Sequence, residues 1–186
     1  MRVHEISAAG DPVTGLIGMR TFFSAIEKHR QEKRDIQAEG ELAVLYFNLV
    51  NFRSINLRYG IDAGDEFLRR MGNTISGCFP DGVVAQFGGD RFAVLTDTRR
   101  LEERAADAGK KIRMLFPVSI DCSIGACVWS DHSMSADAVC TGARIASDEN
   151  RKGIRTSLTL YTKELGERME TAGYVVSHID EAISKG

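Results

Sequence analysis

No apolar run in this chain approaches the roughly 20 residues that a membrane-spanning helix needs, so a bilayer-crossing role is not expected. Cysteine is sparse: Cys78, Cys122, Cys127 and Cys140 are the four in 186 residues, and no two make a CxxC pair. That spacing argues against a zinc ribbon and against a small disulfide scaffold. Reduced, mostly buried thiols are expected instead. The four histidines, His4, His29, His132 and His178, are too scattered to propose a histidine metal site. Neither sign of charge dominates, the net being −2, so neither nucleic acid nor an anionic membrane surface is an expected partner. The opening residues Met1-Arg-Val-His-Glu5 have no apolar signal-peptide core, and a cytoplasmic location is expected. Internal repeats and low-complexity stretches are also missing.

What is present suits one ordinary globular domain: 43% hydrophobic and 27% charged residues over 186 positions. Residues 1–18 read as a lead-in ending in the turn-rich Asp11-Pro-Val-Thr-Gly-Leu16. A helix is expected from Met19 to about Gln31, with Phe22, Phe23 and Ile26 on its apolar side. Leu42 to Val50 is almost continuously apolar and reads as a central strand buried on both faces. Gly64-Asp65 opens a helix carrying Phe67, Leu68, Met71 and Ile75. A hairpin spans about Val83 to Leu95, because two short apolar runs flank the Gly88-Gly89 pair. Helices follow at Arg99–Leu115 (Leu101, Ala105, Ala106 and Ile112 inward) and at Ser135–Glu149, capped by Ser133 or Ser135. Between them, Val118–Val128 reads as a strand bent at Gly125. Ser157–Tyr161 reads as an edge strand, and Lys163–Ser184 as a terminal helix. The central order of strand, helix, hairpin, helix, strand predicts an α+β fold with a ferredoxin-like βαββαβ core and added helices.

Gly88-Gly89-Asp90-Arg91-Phe92 resembles the signature hairpin of the GGDEF domains, the diguanylate cyclase family, with arginine where the family has its fourth-letter glutamate. Other segments resemble the same family in the same order. They are Asp11–Leu16 with Met19-Arg20 and Phe22, Phe47–Asn56, Tyr59–Asp65, Cys122–Ala126 and Ala136–Arg144. Together they cover about Asp11 to Tyr161. The resemblance implies the nucleotide cyclase-like GGDEF fold over 19–162, with residues 163–186 a helical linker towards a following EAL-type domain. It further implies GTP as ligand, Mg²⁺ as cofactor, and cyclic di-GMP made by two facing domains.

The resemblance also assigns positions. Phe52, Arg53, Asn56, Asp65, Gly88, Gly89 and Arg144 are the expected nucleotide-binding residues, with Asn56 and Asp65 reading guanine. Their structural alternatives are a turn former at Asn56, a helix cap at Asp65 and an ordinary exposed residue at Arg53. Metal would fall to Asp90 and, weakly, to Asn48, which replaces the family aspartate; an amide brings no charge to a hard cation. Val50 replaces a second acidic residue of that strand. Arg91 cannot act as a base near neutral pH, so no confident catalytic residue remains. Its alternatives are a phosphate contact, a pair with Asp65, or an exposed strand position. Asp148 stands where the family has its triphosphate arginine and, four residues from Arg144, is placed to pair with it. The family's product-inhibition RxxD has no counterpart, since Phe79 and Gly82 occupy those places and Gln86 replaces a further arginine.

Three readings stay open on the sequence. One is a cyclase-dead domain of cyclic di-GMP signalling that holds GTP or GDP and regulates an adjacent EAL-type domain. Another is a structural or homodimerising domain without ligand. The alternative is an active diguanylate cyclase that condenses two GTP, for which magnesium would be held only weakly.

Overall fold

The computed structural model describes residues 10–36, 41–117, 120–129, 134–152, 158–169 and 171. A six-stranded sheet is at its centre, with strands in the order β1-β3-β4-β2-β5-β6. In chain order these are β1 (Ile17–Gly18), β2 (Leu42–Leu49), β3 (Val83–Gln86), β4 (Arg91–Asp97), β5 (Cys122–Trp129) and β6 (Thr159–Leu160). The helices are α1 (Met19–Ile36), α2 (Phe52–Tyr59), α3 (Ile61–Cys78), α4 (Leu101–Arg113) and α5 (Ala136–Lys152). The four inner strands are mutually antiparallel, and β1 and β6 join the two edges in parallel. This is the expected ferredoxin-like α+β arrangement, extended by one strand at each edge.

Strand β2 lies between β4 and β5 and is buried on both faces, which its unbroken apolar sequence requires. Its alternation divides the core. Phe47, Leu45 and Ala43 pack with α3 and α4 residues such as Phe67, Met71 and Ile112. Tyr46, Val44 and Leu42 pack with Phe22 and Ile26 of α1 and Val139 and Ala143 of α5. Each side chain is thereby committed to one layer by its parity along the strand.

Several local expectations change in the tertiary setting. The helix expected to open at Gly64-Asp65 begins earlier, at Ile61, and a separate α2 precedes it, the two meeting at Gly60 with φ 88°. Asp65 therefore lies beyond the first turn and caps nothing. Helix α4 starts at Leu101 rather than Arg99, because Arg100 takes a left-handed φ of 49°. On its inner side Ala105, Ala108 and Ile112 are buried, while Ala106 is only half-buried. The lead-in carries a structural element, since Ile17–Gly18 pair with Ala85–Gln86. Strand β5 passes through Gly125 with its pairing intact on both sides. Helix α5 has the expected serine cap, Ser135 Oγ accepting from Ala138 N at 3.2 Å. Ser133, Val118 and the chain beyond 171 lie outside the described residues; 163–169 are helical. Among the described residues, no helix is long and apolar enough to cross a membrane.

Candidate functional site

The β3–β4 hairpin turns on Gly88 and Gly89, whose φ angles are 91° and 57°. Both lie in the left-handed region that a side chain makes costly, which is why two glycines stand together. Phe87 N donates to Arg91 O at 2.8 Å and closes the turn. Gln86 Nε2 donates to Gly89 O at 2.7 Å. Thr14 Oγ1 in turn donates to Gln86 Oε1, and Asp11 Oδ1 accepts from Val13 N and Thr14 N at 2.9 Å each. The Asp11–Leu16 turn is thus a buttress for the hairpin tip. Thr14 and Gln86 were not singled out as partners from the sequence; 72 positions separate them, and only the β1–β3 pairing brings them together.

The tip is tied to the centre of the sheet. Asp90 O accepts from Leu49 N at 3.3 Å, and the register sets Asn48 opposite Arg91 on one side and Ser123 on the other. Asn48 follows Tyr46 and Arg91 precedes Ala93 by one alternation, so both belong to the α1/α5 face. Arg91 is exposed and its Nε donates to Gly88 O at 3.4 Å. On the same face lies Tyr46, a residue only 4% exposed, close enough for its hydroxyl to feel the Arg91 charge. Burial pushes the Tyr46 hydroxyl pKa up, while Arg91 and then Arg144 pull it down and Asp148 pushes it up again. One buried phenol therefore lies in the field of the hairpin arginine and of two α5 side chains. Arg144 Nη1 and Asp148 Oδ2 are 3.3 Å apart, the helical pairing their spacing predicts.

Asn56, Asp65, Phe52 and Arg53 belong to the other layer of the sheet, on α2 and α3. Asn51 takes a left-handed φ of 64° at the end of β2 and launches α2. Phe52 is buried against Phe67 at 6.3 Å between ring centroids, and Arg53 is exposed. Asn56 is helical, its main-chain carbonyl accepting from Gly60 N at 3.0 Å. Its side-chain Oδ1 is buried without a hydrogen-bond partner among the described residues and lies directly over Gly64. The structure brings Asn48, Arg91, Arg144 and Asp148 to one side of the β2 end and the Asn56–Asp65 pair to the other, while the Asp90 carboxylate, at the hairpin tip, lies near Cys122. Arg91 engages the Gly88 carbonyl, not Asp65. Two shallow cavities of about 150 and 200 Å³ flank Val50 and Asp121 beside this end of the sheet, and neither is lined by Gly88 or Gly89.

Asp90 contributes one carboxylate and Asn48 an uncharged amide. Among the described residues, no three His, Cys, Asp or Glu side chains gather closely enough to hold a metal ion. Phe79 is 1% exposed in the core, and Gly82 is hemmed in by the Leu95 and Phe79 carbonyls. Neither place offers a charged surface group.

A family profile described as Diguanylate cyclase, GGDEF domain matches residues 8–157. The chain is 29% identical over 174 residues, 89% of its length, to cyclic di-GMP phosphodiesterase PdeR of Escherichia coli K12, of which it covers 26%. It is 26% identical over 164 residues, 83% of its length, to cyclic di-GMP phosphodiesterase NbdA of Pseudomonas aeruginosa, of which it covers 21%. The chain thus spans about a quarter of the length of these curated relatives. Among solved structures, the isolated GGDEF domain of TpbB (YfiN) from Pseudomonas aeruginosa superposes with a TM-score of 0.73 at 24% identity. That superposition covers 87% of this chain and 99% of the other. The GGDEF domain of DgcB from Caulobacter crescentus, in complex with c-di-GMP, gives a TM-score of 0.72 at 18% identity, covering 84% and 97%. On the profile match and the shared fold, this chain belongs to the GGDEF domain family.

Proposed function

We propose that this is a degenerate GGDEF domain of cyclic di-GMP signalling, without diguanylate cyclase activity, that holds a guanine nucleotide and regulates a neighbouring domain. One observation carries the reading: Arg91 stands opposite Asn48 on the same face of the sheet, its Nε turned to the Gly88 carbonyl. A divalent ion does not fit this donor set. Asp90 supplies a single negative charge, Asn48 supplies none, and Arg91 adds a positive one. Hard cations take several charged oxygen ligands, and at close range each reversed charge opposes them strongly. The hydroxyl attack loses its base as well, since arginine stays protonated. Loss of a general base alone costs about 10²–10⁴ in rate.

Guanine recognition is supported separately. The Asn56 Oδ1, which has no hydrogen-bond partner among the described residues and lies over Gly64 next to Asp65, supports a polar ligand here. The similarity to phosphodiesterase-named proteins several times longer supports an EAL-type neighbour. The codons that follow Gly186 decide that point.

Incubating the purified domain with GTP and Mg²⁺ or Mn²⁺, with chromatography of the products, should show no cyclic di-GMP above a no-protein control. Measurable product that requires the domain would overturn the proposal. Calorimetry should show a preference for guanosine over adenosine nucleotides; no binding of either would favour a ligand-free scaffold.

A further inference from the structure

The end of the sheet remote from Asn48 and the hairpin tip carries a groove of its own. There β2 begins at Leu42, which pairs with Asp97 at the end of β4 and with Trp129 at the end of β5. Glu41, one residue earlier, accepts from Thr98 N through its main-chain carbonyl at 3.2 Å, which holds it beside the turn into α4. Strand β6 accompanies β5 only along Gly125 and Ala126, so β5 runs on past its neighbour to Trp129. By parity with Ala126, Val128 and Leu160 turn to the α3/α4 layer. Leu101, at the start of α4, is buried, Val128 is half-buried and Leu160 is 42% exposed. These three side chains are the apolar floor of a groove of about 410 Å³. Its exposed rim carries Glu41, Glu102, Glu103 and Arg100.

The rim is one-sided in charge. Arg100 Nε donates to Glu103 at 2.7 Å, and the neighbouring Arg99 and Arg104 each lie 3.1 Å from the Asp97 carboxylate. Those three guanidinium groups are therefore taken, whereas Glu41 and Glu102 are in no ion pair among the described residues. Glu102, in the first turn of α4, also suits the positive end of the helix dipole. Glu41 is on no helix, and the dipole gives no reason for its place at this rim. An apolar centre inside a charged edge is the layout of a protein-binding surface. A large side chain anchors in the middle, and ionic contacts at the edge select the partner.

We propose that this groove docks a lysine- or arginine-rich segment of a partner protein. The segment sets one large apolar side chain on Leu101, Val128 and Leu160 and pairs its cations with Glu41 and Glu102. The site is at the opposite end of the sheet from the guanine-binding residues and does not depend on that reading.

The test is a titration of the purified, isotope-labelled protein with a polylysine peptide carrying one central tryptophan, followed by NMR. Two further peptides serve as comparisons, one with alanine for the tryptophan and one with glutamate for every lysine. Saturable shifts are expected at the amides of Glu41, Leu101, Glu102, Val128 and Leu160, weakening as salt is added. Both comparison peptides should bind at least tenfold more weakly. Glu41→Gln and Glu102→Gln should each weaken the tryptophan peptide about threefold, the size of one exposed ion pair. Leu160→Ser should weaken it about tenfold through lost apolar contact. Leu57→Ser, at an exposed position on α2 beyond the other end of β2, should change nothing. Circular dichroism and melting confirm that each variant is folded, and the peptide comparisons need no variant. Absence of saturable binding, shifts centred elsewhere, equal affinity for either comparison peptide, or indifference to Leu160→Ser would each overturn the inference.

Discussion

A methyl group built on Gly64 collides with Asn56 Oδ1 and comes within 3.3 Å of Phe52 Cζ. Gly64 has no positive φ, so space rather than backbone conformation demands glycine here. The Asn56 amide can turn away, but only by giving up its place over α3. Gly64→Ala is therefore expected to cost about 1–3 kcal/mol of stability, the usual range for overpacking, read by urea denaturation. It should also weaken guanine-nucleotide binding in calorimetry. An unchanged affinity would show that Asn56 does not face the ligand. Asn48 illustrates a different effect at this scale. It keeps the size of the family aspartate and discards the charge, and a single atom's change alters what the β2 end can hold.

At the scale of elements, the close approach of α5 to β5 is the tightest joint described. A Cβ on Gly125 would strike the Ser147 amide nitrogen and the Ala143 carbonyl, both backbone atoms that no rotamer change can move. Gly125→Ala is expected to destabilise the domain by about 3 kcal/mol, at the upper end for an inserted methyl group, measured as a fall in the urea midpoint at unchanged slope. A loss under about 1 kcal/mol would mean that α5 shifts easily against the sheet. The joint is reinforced by Ser123 Oγ and Ser147 Oγ, 3.0 Å apart, and by Glu27 Oε1 of α1 accepting from Ala136 N at 3.2 Å. Arg144 and Asp148 are positioned by this helix, so the joint also sets where their charges lie relative to Arg91.

The molecule as a whole shields its thiols. Cys127 and Cys140 are buried in the α1/α5 layer, and burial pushes their pKa values up to about 11 and about 12 from an ordinary value of 9.0. All four cysteines are free. In the unfolded chain these two ionise near the ordinary value, whereas in the folded domain they stay protonated. Their contribution is thus fully present below about pH 9 and is lost as pH rises through the folded values. Urea midpoints should fall as pH rises from about 9 towards 11, and less steeply in Cys140→Ala. Native-state titration with a thiol reagent at neutral pH should leave Cys127 and Cys140 unmodified until denaturant is added; rapid labelling of both would contradict the burial.

The inner strands, the hairpin, α1, α4 and α5 were legible in the sequence because each has its own periodicity or turn signal. The Gly-Gly pair and the unbroken apolar run of β2 leave little choice of local structure. The α2–α3 break was not legible, because it depends on Gly60 and Asn51 taking left-handed conformations that nothing local compels. Residue chemistry alone already determined that Arg91 is no base and that Asn48 brings no charge. Only the tertiary structure decided where those side chains meet: strand register sets Asn48 against Arg91, and packing buries Tyr46 on the same face. Charge and propensity belong to single residues, but contacts between positions far apart in the chain exist only once the sheet has assembled.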